Sequence, residues 1–419
     1  MDKTATQAAS GLFRPDFLRD PFPTFTALRE GPPIQETFPD GQRFWLLTRY
    51  QDVMLALRDR RFTTDFTRFA GARPATETVP NDDRLLARID EDNMLLHIDE
   101  DSILVREGEE HARLRRLVSQ AFTPRFVENM RPRIQQIADE LLDAVQDSRQ
   151  MDLLDDFAFP LPITVILEML GVPVEERERC RAGSNALLEA TQRLYRKLSH
   201  EQIAQLRDFF DYLRGLIAAK RAAPQDDLLS QLVQARDQAD RLTEDELVSL
   251  VRILIVAGHE TTVNLISLSM LHLLTHPGDC ARLRAAPEQI PAAVEEMLRL
   301  VSVVSTGVTR YATEDIEVGG QLIRRGEAVM PLVGAANHDP AVFERPEQFD
   351  EARPDNRHLA FGHGIHYCLG APLARLEGQI ALATLLHRLP NLRLSAAPDA
   401  LVWRDTWNLR GLLRMRVEF

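Results

Sequence analysis

Hydrophobic residues recur at intervals of three and four along most of this 419-residue chain. After Met130, for example, the apolar residues Ile134, Ile137, Leu141 and Leu142 are separated by Arg, Gln, Asp and Glu. This spacing produces a helix with one apolar stripe for a core and one polar face for solvent. Further segments with helical character are residues 173–194, 201–221, 287–300 and 373–388.

Strand signals are short and few. Residues 44–48 form an apolar run, and Ile316–Val318 and Gln321–Ile323 flank Gly319-Gly320, a pair suited to a two-residue hairpin turn. No linker, repeat or low-complexity tract divides the chain. The sequence therefore predicts a mainly α fold with small β-sheets. We expect one large helical domain over residues 1–419, with a flexible N-terminal segment at residues 1–18.

The longest predicted helix is apolar on nearly all sides. It begins at the capping-box pattern of residues 243–246 and ends near Thr275, before a proline. At 1.5 Å per residue its length is about 50 Å. Arg252, His259 and Glu260 disfavour a membrane span. The pattern therefore indicates a central helix buried in the protein.

Composition excludes several classes of function. The chain is 44% hydrophobic and 27% charged, and its net charge of −13 argues against nucleic-acid binding. Three scattered cysteines do not form a disulfide scaffold. The first residues lack a basic stretch followed by an apolar one, so no signal peptide or membrane anchor is predicted. We expect a cytoplasmic monomer.

One cysteine lies in a glycine-rich loop, within the sequence Phe361-Gly362-His363-Gly364-Ile365-His366-Tyr367-Cys368-Leu369-Gly370. A thiolate needs N–H donors, a helix N-terminus or a metal to stay charged. The glycines allow close backbone approach, and a helix is predicted directly after the loop. The loop is thus suited to hold a thiolate against a metal.

The cysteines have two other interpretations. A cysteine is often a small buried hydrophobe, which suits Cys180 and Cys280. A zinc site at His363, His366 and Cys368 is weak, because no paired Cys or His element supplies a fourth ligand.

Polar side chains interrupt the long apolar helix at Ala257-Gly258-His259-Glu260-Thr261-Thr262. Buried polar groups cost free energy unless they have partners, so these indicate a function. Alternatively, the Thr261 hydroxyl bonds back to the Ala257 carbonyl and Glu260 pairs with a surface cation. For His259, a side chain satisfied within the core is the better interpretation.

The cysteine loop resembles the haem-ligand loop F-G-x-G-x-H-x-C-x-G of the cytochrome P-450 haem-thiolate monooxygenases. The resemblance runs from about residue 20 to the C-terminus. It implies that Cys368 is the proximal iron ligand and that Ala257 and Gly258 leave room for dioxygen. Thr261 and Glu260 would then deliver protons to oxygen. Glu296-Met297-Leu298-Arg299, with Arg353, is similar to the family's structural E-x-x-R brace.

The resemblance also implies contacts to haem b. His111 and Arg115, four residues apart on one helical face, with Arg310 and His358, would bind the propionates. The loop residues Phe361, Gly362 and Gly370 would complete the haem contacts. One departure is the Glu107-Gly108-Glu109-Glu110 run, where many bacterial relatives have Asp-Pro-Pro-Glu. The candidate substrate-lining residues are Ile103, Leu104, Leu254, Ala257, Val304 and Trp407.

The implied activity is hydroxylation or epoxidation of an apolar organic molecule with O2. Macrolide or polyketide, terpenoid and fatty-acid-like compounds are the candidate substrates. Electrons would come from NAD(P)H through a ferredoxin or flavodoxin and its reductase. A docking patch for such an acidic partner is suggested by Arg106, Arg113, Arg116, Arg125, Arg131 and Arg133.

Alternatives to this activity are a peroxygenase, an isomerase or dehydratase on the same fold, and a non-enzymatic haem binder. Glu260 and Thr261 disfavour the peroxygenase and the isomerase or dehydratase. The acidic residues between Asp82 and Asp101 suggest attraction of a cationic substrate, although a solvated loop face is the simpler interpretation.

Overall fold

A computed structural model describes residues 11–13, 15–38, 42–65, 102–119, 122–192, 199–237, 242–406 and 408–419. This part of the chain is mainly helical, with short strands. Its α-helices are α1 Pro15–Arg19, α2 Phe22–Glu30, α3 Tyr50–Arg58, α4 Gly108–Ser119, α5 Pro124–Asn129, α6 Arg131–Val145, α7 Pro160–Met169, α8 Arg177–Gln192, α9 His200–Ala222, α10 Leu228–Asp237, α11 Glu244–Thr275, α12 Pro277–Ala285, α13 Ile290–Val301, α14 Val333–Ala336 and α15 Ala371–Arg388.

The strands are two to five residues long. They are β1 Ile34–Thr37, β2 Arg43–Leu47, β3 Phe62–Thr63, β4 Gln150–Asp152, β5 Arg310–Ala312, β6 Ile316–Val318, β7 Gln321–Ile323, β8 Ala328–Pro331, β9 Arg393–Leu394 and β10 Arg416–Glu418. The mainly α fold with small β-sheets is therefore confirmed, and the predicted helices and strands appear with shifts of a few residues at their ends.

The predicted periodicities are visible in what each element buries. In α6, Ile134, Ile137 and Leu142 are buried, as the apolar stripe requires. In the β6–β7 hairpin, Gly319 and Gly320 have φ values of 55° and 80°, which a glycine pair adopts without strain.

The backbone divides into two compact units, and each is described by itself. The first contains residues up to Phe62, residues 124–162 and residues 260–419. Its largest sheet includes β1 antiparallel to β2, β2 parallel to β8 and β8 antiparallel to β5. A buried apolar cluster joins β8 to α3 and the β6–β7 hairpin, including Val329, Val53 and Ile323.

The second unit contains residues 63–123 and 163–259. In it α8 packs on α9, α9 on α10 and α10 on α4. Gly183 lies directly against Phe209, where a Cβ atom would come within 2.3 Å of the ring. Glycine at position 183 therefore permits the close contact between α8 and α9. Lys220 and Asp227 form a buried ion pair in the same unit.

The predicted brace is confirmed in the first unit. Arg299 donates two hydrogen bonds to Glu296, at 2.8 and 2.9 Å, and both side chains are fully buried. Arg353 is the third member, with Nε 3.1 Å from Glu296 Oε1. The Arg299 guanidinium also donates to the carbonyls of Asn337 and Pro346, at 3.0 and 2.7 Å. One buried carboxylate thus holds two arginines that tie α13 to the segment after α14.

Two short helical elements begin within residues 1–18, the segment expected to be flexible. Gly11–Phe13 forms a 3₁₀ turn, and α1 follows it. Leu12 and Phe17 are buried, and the Phe17 ring packs edge-on to Phe25 at 5.5 Å. These two apolar side chains anchor the segment. Residues 1–10 lie outside the described part of the chain.

Helix α11 is long and apolar enough to cross a membrane by length and composition alone. Its most apolar window has a mean hydropathy of 1.3, but 72% of that window is buried inside the protein. Such burial is typical of the core helix of a globular protein, as the sequence predicted.

Candidate active site

The loop that carries Cys368 is fixed by its glycines and by backbone hydrogen bonds. The Cys368 N–H donates to the Phe361 carbonyl at 2.9 Å, which closes the loop. Gly362 and Gly364 have positive φ values of 67° and 75°. A Cβ atom at Gly364 would lie 2.8 Å from the Leu57 carbonyl oxygen. Glycine is therefore required at this position on both conformational and steric grounds.

Cys368 differs from the other two cysteines in its surroundings. It is half-buried and lies two residues before Gly370, the N-cap of α15. Cys180 and Cys280 are buried, and burial raises the pKa of the Cys180 thiol to about 12 and raises that of Cys280. These two residues remain thiols at neutral pH, as the hydrophobe interpretation predicted. Only Cys368 has the helix N-terminus and the accessibility that suit a metal-bound thiolate.

Phe361, a predicted haem contact, is held from both sides. Its ring is buried, and the Arg375 guanidinium lies over it, 4.5 Å from the ring centroid. The Tyr367 ring packs edge-on at 6.2 Å. Arg375 in turn forms two hydrogen bonds with Glu295, at 2.7 and 2.9 Å. The loop is thus supported by packing as well as by its own backbone.

Helix α11 has one accessible face in an otherwise buried stretch. Ala257 is exposed, and Ile253, Gly258 and Thr261 are partly exposed, whereas residues 262–270 are all buried. Residues four apart lie on the same face of a helix, so Ile253, Ala257 and Thr261 form one open stripe. The predicted oxygen-side residues Ala257, Gly258 and Thr261 are therefore among the accessible positions in the middle of this helix.

His259 and Glu260 face the protein interior. His259 is fully buried, with Nδ1 2.7 Å from the Ile255 carbonyl oxygen one turn earlier, so the core interpretation is confirmed. Glu260 is 1% exposed and forms an ion pair with Arg404. This is the pairing that the sequence left open as an alternative. It supplies the counter-charge that a buried carboxylate requires.

Two of the four propionate candidates lie on α4. His111 is buried, and burial together with the neighbouring Arg115 lowers its pKa. Glu107, part of the departure from the family pattern, accepts hydrogen bonds from the Thr63 hydroxyl and the Thr64 N–H. The altered run therefore anchors the start of α4 rather than disrupting it.

A third candidate, Arg310, begins β5 in the first unit. Its side chain is buried, and Nη1 donates to the Val308 carbonyl at 3.1 Å. Its position next to β8 is fixed by the pairing of Arg310 with Val329.

His358, the fourth propionate candidate, is hydrogen-bonded within the protein. Its Nε2 lies 3.1 Å from Glu295, and its Nδ1 accepts the Ala360 N–H at 3.2 Å, so both ring nitrogens already have protein partners. The same Glu295 binds Arg375, and these contacts lower its pKa to about 2 although burial opposes the shift. Local sequence does not reveal this pairing, because Glu295 lies on α13, far from His358 in the chain.

The predicted substrate-lining residues differ in their exposure. Val304 is partly exposed and forms an isolated β-bridge with Leu409. Ile103 and Leu104 are partly exposed, and Leu254 is buried beside the open stripe of α11. Trp407 and the acidic residues from Asp82 to Asp101 lie outside the described part of the chain.

Comparison with known proteins identifies the family. Residues 87–391 match the family model described as Cytochrome P450. Cytochrome P450 107B1 of Saccharopolyspora erythraea is 42% identical over 401 residues, which are 96% of this chain and 95% of that protein. The chain belongs to the cytochrome P-450 family.

Solved structures show the same fold in this cytochrome P-450. PksS of Bacillus subtilis, named as a cytochrome P450 of polyketide biosynthesis, is 41% identical over 402 residues, 95% of each chain. Its structure gives a TM-score of 0.84 at 39% identity, covering 97% of this chain and 98% of that one. A myxobacterial relative, CYP267B1 in complex with myristic acid, gives 0.86 at 40% identity, covering 97% and 98%. The protein is a monooxygenase, and the family implies haem iron and O2.

The donor set of this chain fits haem. Cys368 is the accessible sulfur, and it precedes a helix N-terminus, where negative charge is stabilised. Gly370 has no Cβ atom, and one added there would lie 4.0 Å from the Cys368 sulfur. Ala257 and Thr261 give α11 an open face with one methyl and one hydroxyl. These features are what a flat cofactor ligated through sulfur requires.

Proposed function

We propose that this cytochrome P-450 hydroxylates or epoxidises an apolar organic substrate of the polyketide or fatty-acid class. The observation that carries the proposal is the open stripe of α11, where Ala257 and Thr261 are accessible and the following residues are buried. PksS is named for polyketide biosynthesis, and the myxobacterial relative binds myristic acid, which supports both substrate classes. A terpenoid, also expected from the sequence, would suit the same apolar surroundings.

Cys368, Thr261 and Glu260 have separate roles in this proposal. Haem iron, when bound through a thiolate, supplies O2 binding and favours heterolytic O–O cleavage. Cys368 provides the thiolate, and the Phe361 carbonyl and the helix N-terminus fix its position. The Thr261 hydroxyl both donates and accepts a hydrogen bond, so it can hold a proton donor at the open face. Glu260 is the acid next to it in the helix. The presence of Glu260 and Thr261 favours an enzyme that uses O2 over one that uses peroxide as the oxidant.

The haem contacts expected from the sequence remain part of this proposal. His111 and Arg115 on α4 and Arg310 on β5 would bind the propionates, with Phe361, Gly362 and Gly370 beside the cofactor. His366 is a better candidate than His358, because it lies in the turn Gly364–His366 directly before Cys368. The sequence contained this signal, since His366 is a fixed position of the loop motif.

Electrons are proposed to come from NAD(P)H through a ferredoxin or flavodoxin and its reductase. The predicted arginine patch is partly neutralised by the chain itself. Arg106 pairs with Glu110, Arg113 with Glu246, Arg131 with Glu128 and Arg133 with Glu140. Arg125 is exposed and is the best probe of docking. We further propose that the chain acts as a single-domain cytoplasmic monomer.

Thr261→Ala is expected to retain haem but to uncouple turnover. The substitution removes the hydroxyl from the open stripe and little volume, so protons reach oxygen less selectively and hydrogen peroxide is released. A positioned proton donor contributes about 10²–10⁴-fold, so product per nicotinamide should fall severalfold. The measurement is product, peroxide and NAD(P)H consumption with myristic acid as probe substrate and a surrogate ferredoxin and reductase.

Ser267→Ala is the matched control on the same helix. Ser267 is buried, and its hydroxyl donates to the Asn264 carbonyl of its own helix at 3.4 Å. Its loss should leave the coupling ratio near that of the wild type. Equal coupling in Thr261→Ala and the wild type would remove Thr261 from the mechanism. Absence of product from the wild type with myristic acid and with polyketide probes would contradict the proposed substrate classes.

A further inference from the structure

The segment formed by residues 401–406 and 408–413, here called the C-terminal hairpin, is closed by its own backbone. Trp403 forms a β-bridge with Leu412, and the Arg404 N–H donates to the Gly411 carbonyl at 2.9 Å. The Leu413 N–H donates to the Val402 carbonyl at 2.9 Å. The Arg404 side chain folds back on the hairpin, with Nε 3.3 Å from the Leu412 carbonyl oxygen. These backbone hydrogen bonds thus fix the position from which the Arg404 side chain extends.

The C-terminal hairpin meets α11 at two points on one face of the helix. Arg404 forms the ion pair with Glu260. One turn later, Asn264 lies so close to Gly411 that a Cβ atom there would come within 2.2 Å of Asn264 Oδ1. The Arg404 N–H is hydrogen-bonded to the Gly411 carbonyl. The two contacts therefore fix together how the hairpin is placed along the helix.

The hairpin also pairs with the segment that contains Val304. The Ser305 N–H donates to the Asn408 carbonyl at 2.9 Å, and the Arg410 N–H donates to the Val303 carbonyl at 2.8 Å. Val304 itself bridges to Leu409. The element that holds Arg404 is therefore hydrogen-bonded to both neighbours of Val304, a candidate substrate-lining residue.

The two partners of the ion pair differ in their access to water. Glu260 is 1% exposed, whereas the Arg404 side chain is 22% exposed. A buried carboxylate that loses its cation is left uncompensated, but a partly exposed guanidinium can be solvated. The carboxylate therefore depends on the pair more than the arginine does.

We propose that Arg404 is a positioning residue for Glu260, through which the C-terminal hairpin and the proton-delivering acid of α11 respond to each other. The pair fixes the orientation of the Glu260 carboxylate. A change in the hairpin at Leu409, or in the neighbouring segment at Val304, then alters proton delivery. This inference rests on the proposed role of Glu260 in proton delivery.

The first test measures the hairpin, not activity. In holoenzyme, Glu260→Gln should increase amide hydrogen exchange over residues 401–413, because the partner charge of Arg404 is lost. A hydrogen bond between charged groups contributes enough for a change of about tenfold. Arg404→Gln should produce a similar increase, and the double variant should exchange no faster than either single variant. Unchanged exchange in Glu260→Gln would overturn the proposal.

The second test is the coupling of turnover with myristic acid as probe substrate. In Arg404→Gln the Glu260 carboxylate loses the partner that orients it, so product per NAD(P)H should fall severalfold. Arg404→Lys keeps the charge and should largely restore the wild-type ratio. A coupling ratio of Arg404→Gln equal to that of the wild type would overturn the proposal.

Arg414→Gln is the matched control. Arg414 lies just beyond the hairpin, is 60% exposed and pairs with Asp152 at 3.2 Å, so its loss should change neither readout. The reduced carbon-monoxide spectrum of each variant checks that haem is ligated. If the variants exchange faster as expected but the wild type makes no product, the proposed function alone is contradicted. A wild type that turns over while Glu260→Gln leaves the hairpin unchanged contradicts this inference alone.

Discussion

Cys368→Ser is expected to abolish both the red-shifted carbon-monoxide spectrum of the reduced protein and monooxygenase turnover. The spectrum depends on a thiolate ligand, and a serine hydroxyl stays protonated at neutral pH and binds iron weakly. Without the thiolate, the electron donation that favours O–O cleavage is lost. The loop itself should persist, because the Cys368 N–H bonds to the Phe361 carbonyl through the backbone. Difference spectra of the reduced protein and product formation measure the effect.

Cys180→Ala and Cys280→Ala are the matched controls for this prediction. Both cysteines are buried among apolar residues, and the raised pKa of each keeps it a thiol. Alanine removes the sulfur without burying a new hydroxyl, so these variants should lose some stability and keep the red-shifted spectrum. If Cys368→Ser kept the spectrum while one of these variants lost it, the ligand assignment would be wrong.

The elements that could be predicted from the sequence are those encoded by local pattern. The stripe of Ile134, Ile137 and Leu142 predicts α6 because apolar residues spaced at the helical period lie on one face of the helix, and that face is buried. The Gly319-Gly320 pair predicts the β6–β7 hairpin because few other residue pairs adopt positive φ twice. The loop before Cys368 could be recognised because its glycines are required by backbone geometry.

Pairings between distant charged residues could not be predicted. Glu260 and Arg404 lie far apart in the chain, and an isolated arginine near the C-terminus carries no signal of its partner. The same holds for the pairing of His358, whose partner Glu295 lies on α13. The Glu296–Arg299 pair was predicted only because both residues lie within one turn of a helix in a recognisable family element.

Arg299→Met is expected to lower the free energy of unfolding by about 3–5 kcal/mol, because it leaves the Glu296 carboxylate buried with only part of its counter-charge. Methionine fills much of the volume of the arginine stem, so the effect reports the charge more than a cavity. The carbonyls of Asn337 and Pro346 also lose their donors. Urea unfolding of the haem-loaded protein measures the change, together with the haem content after expression.

Arg181→Met tests whether any arginine would give this result. Arg181 also makes two hydrogen bonds to the carboxylate three residues earlier, that of Glu178, at 2.8 and 2.6 Å, but the two side chains are 42% and 72% exposed. Surface ion pairs contribute about 0–1 kcal/mol, so this variant should unfold close to the wild type. The difference between the two variants isolates the effect of burial, since the pair geometry is alike. Equal small losses in both would mean that Arg353 alone compensates Glu296 and that Arg299 is dispensable to the brace.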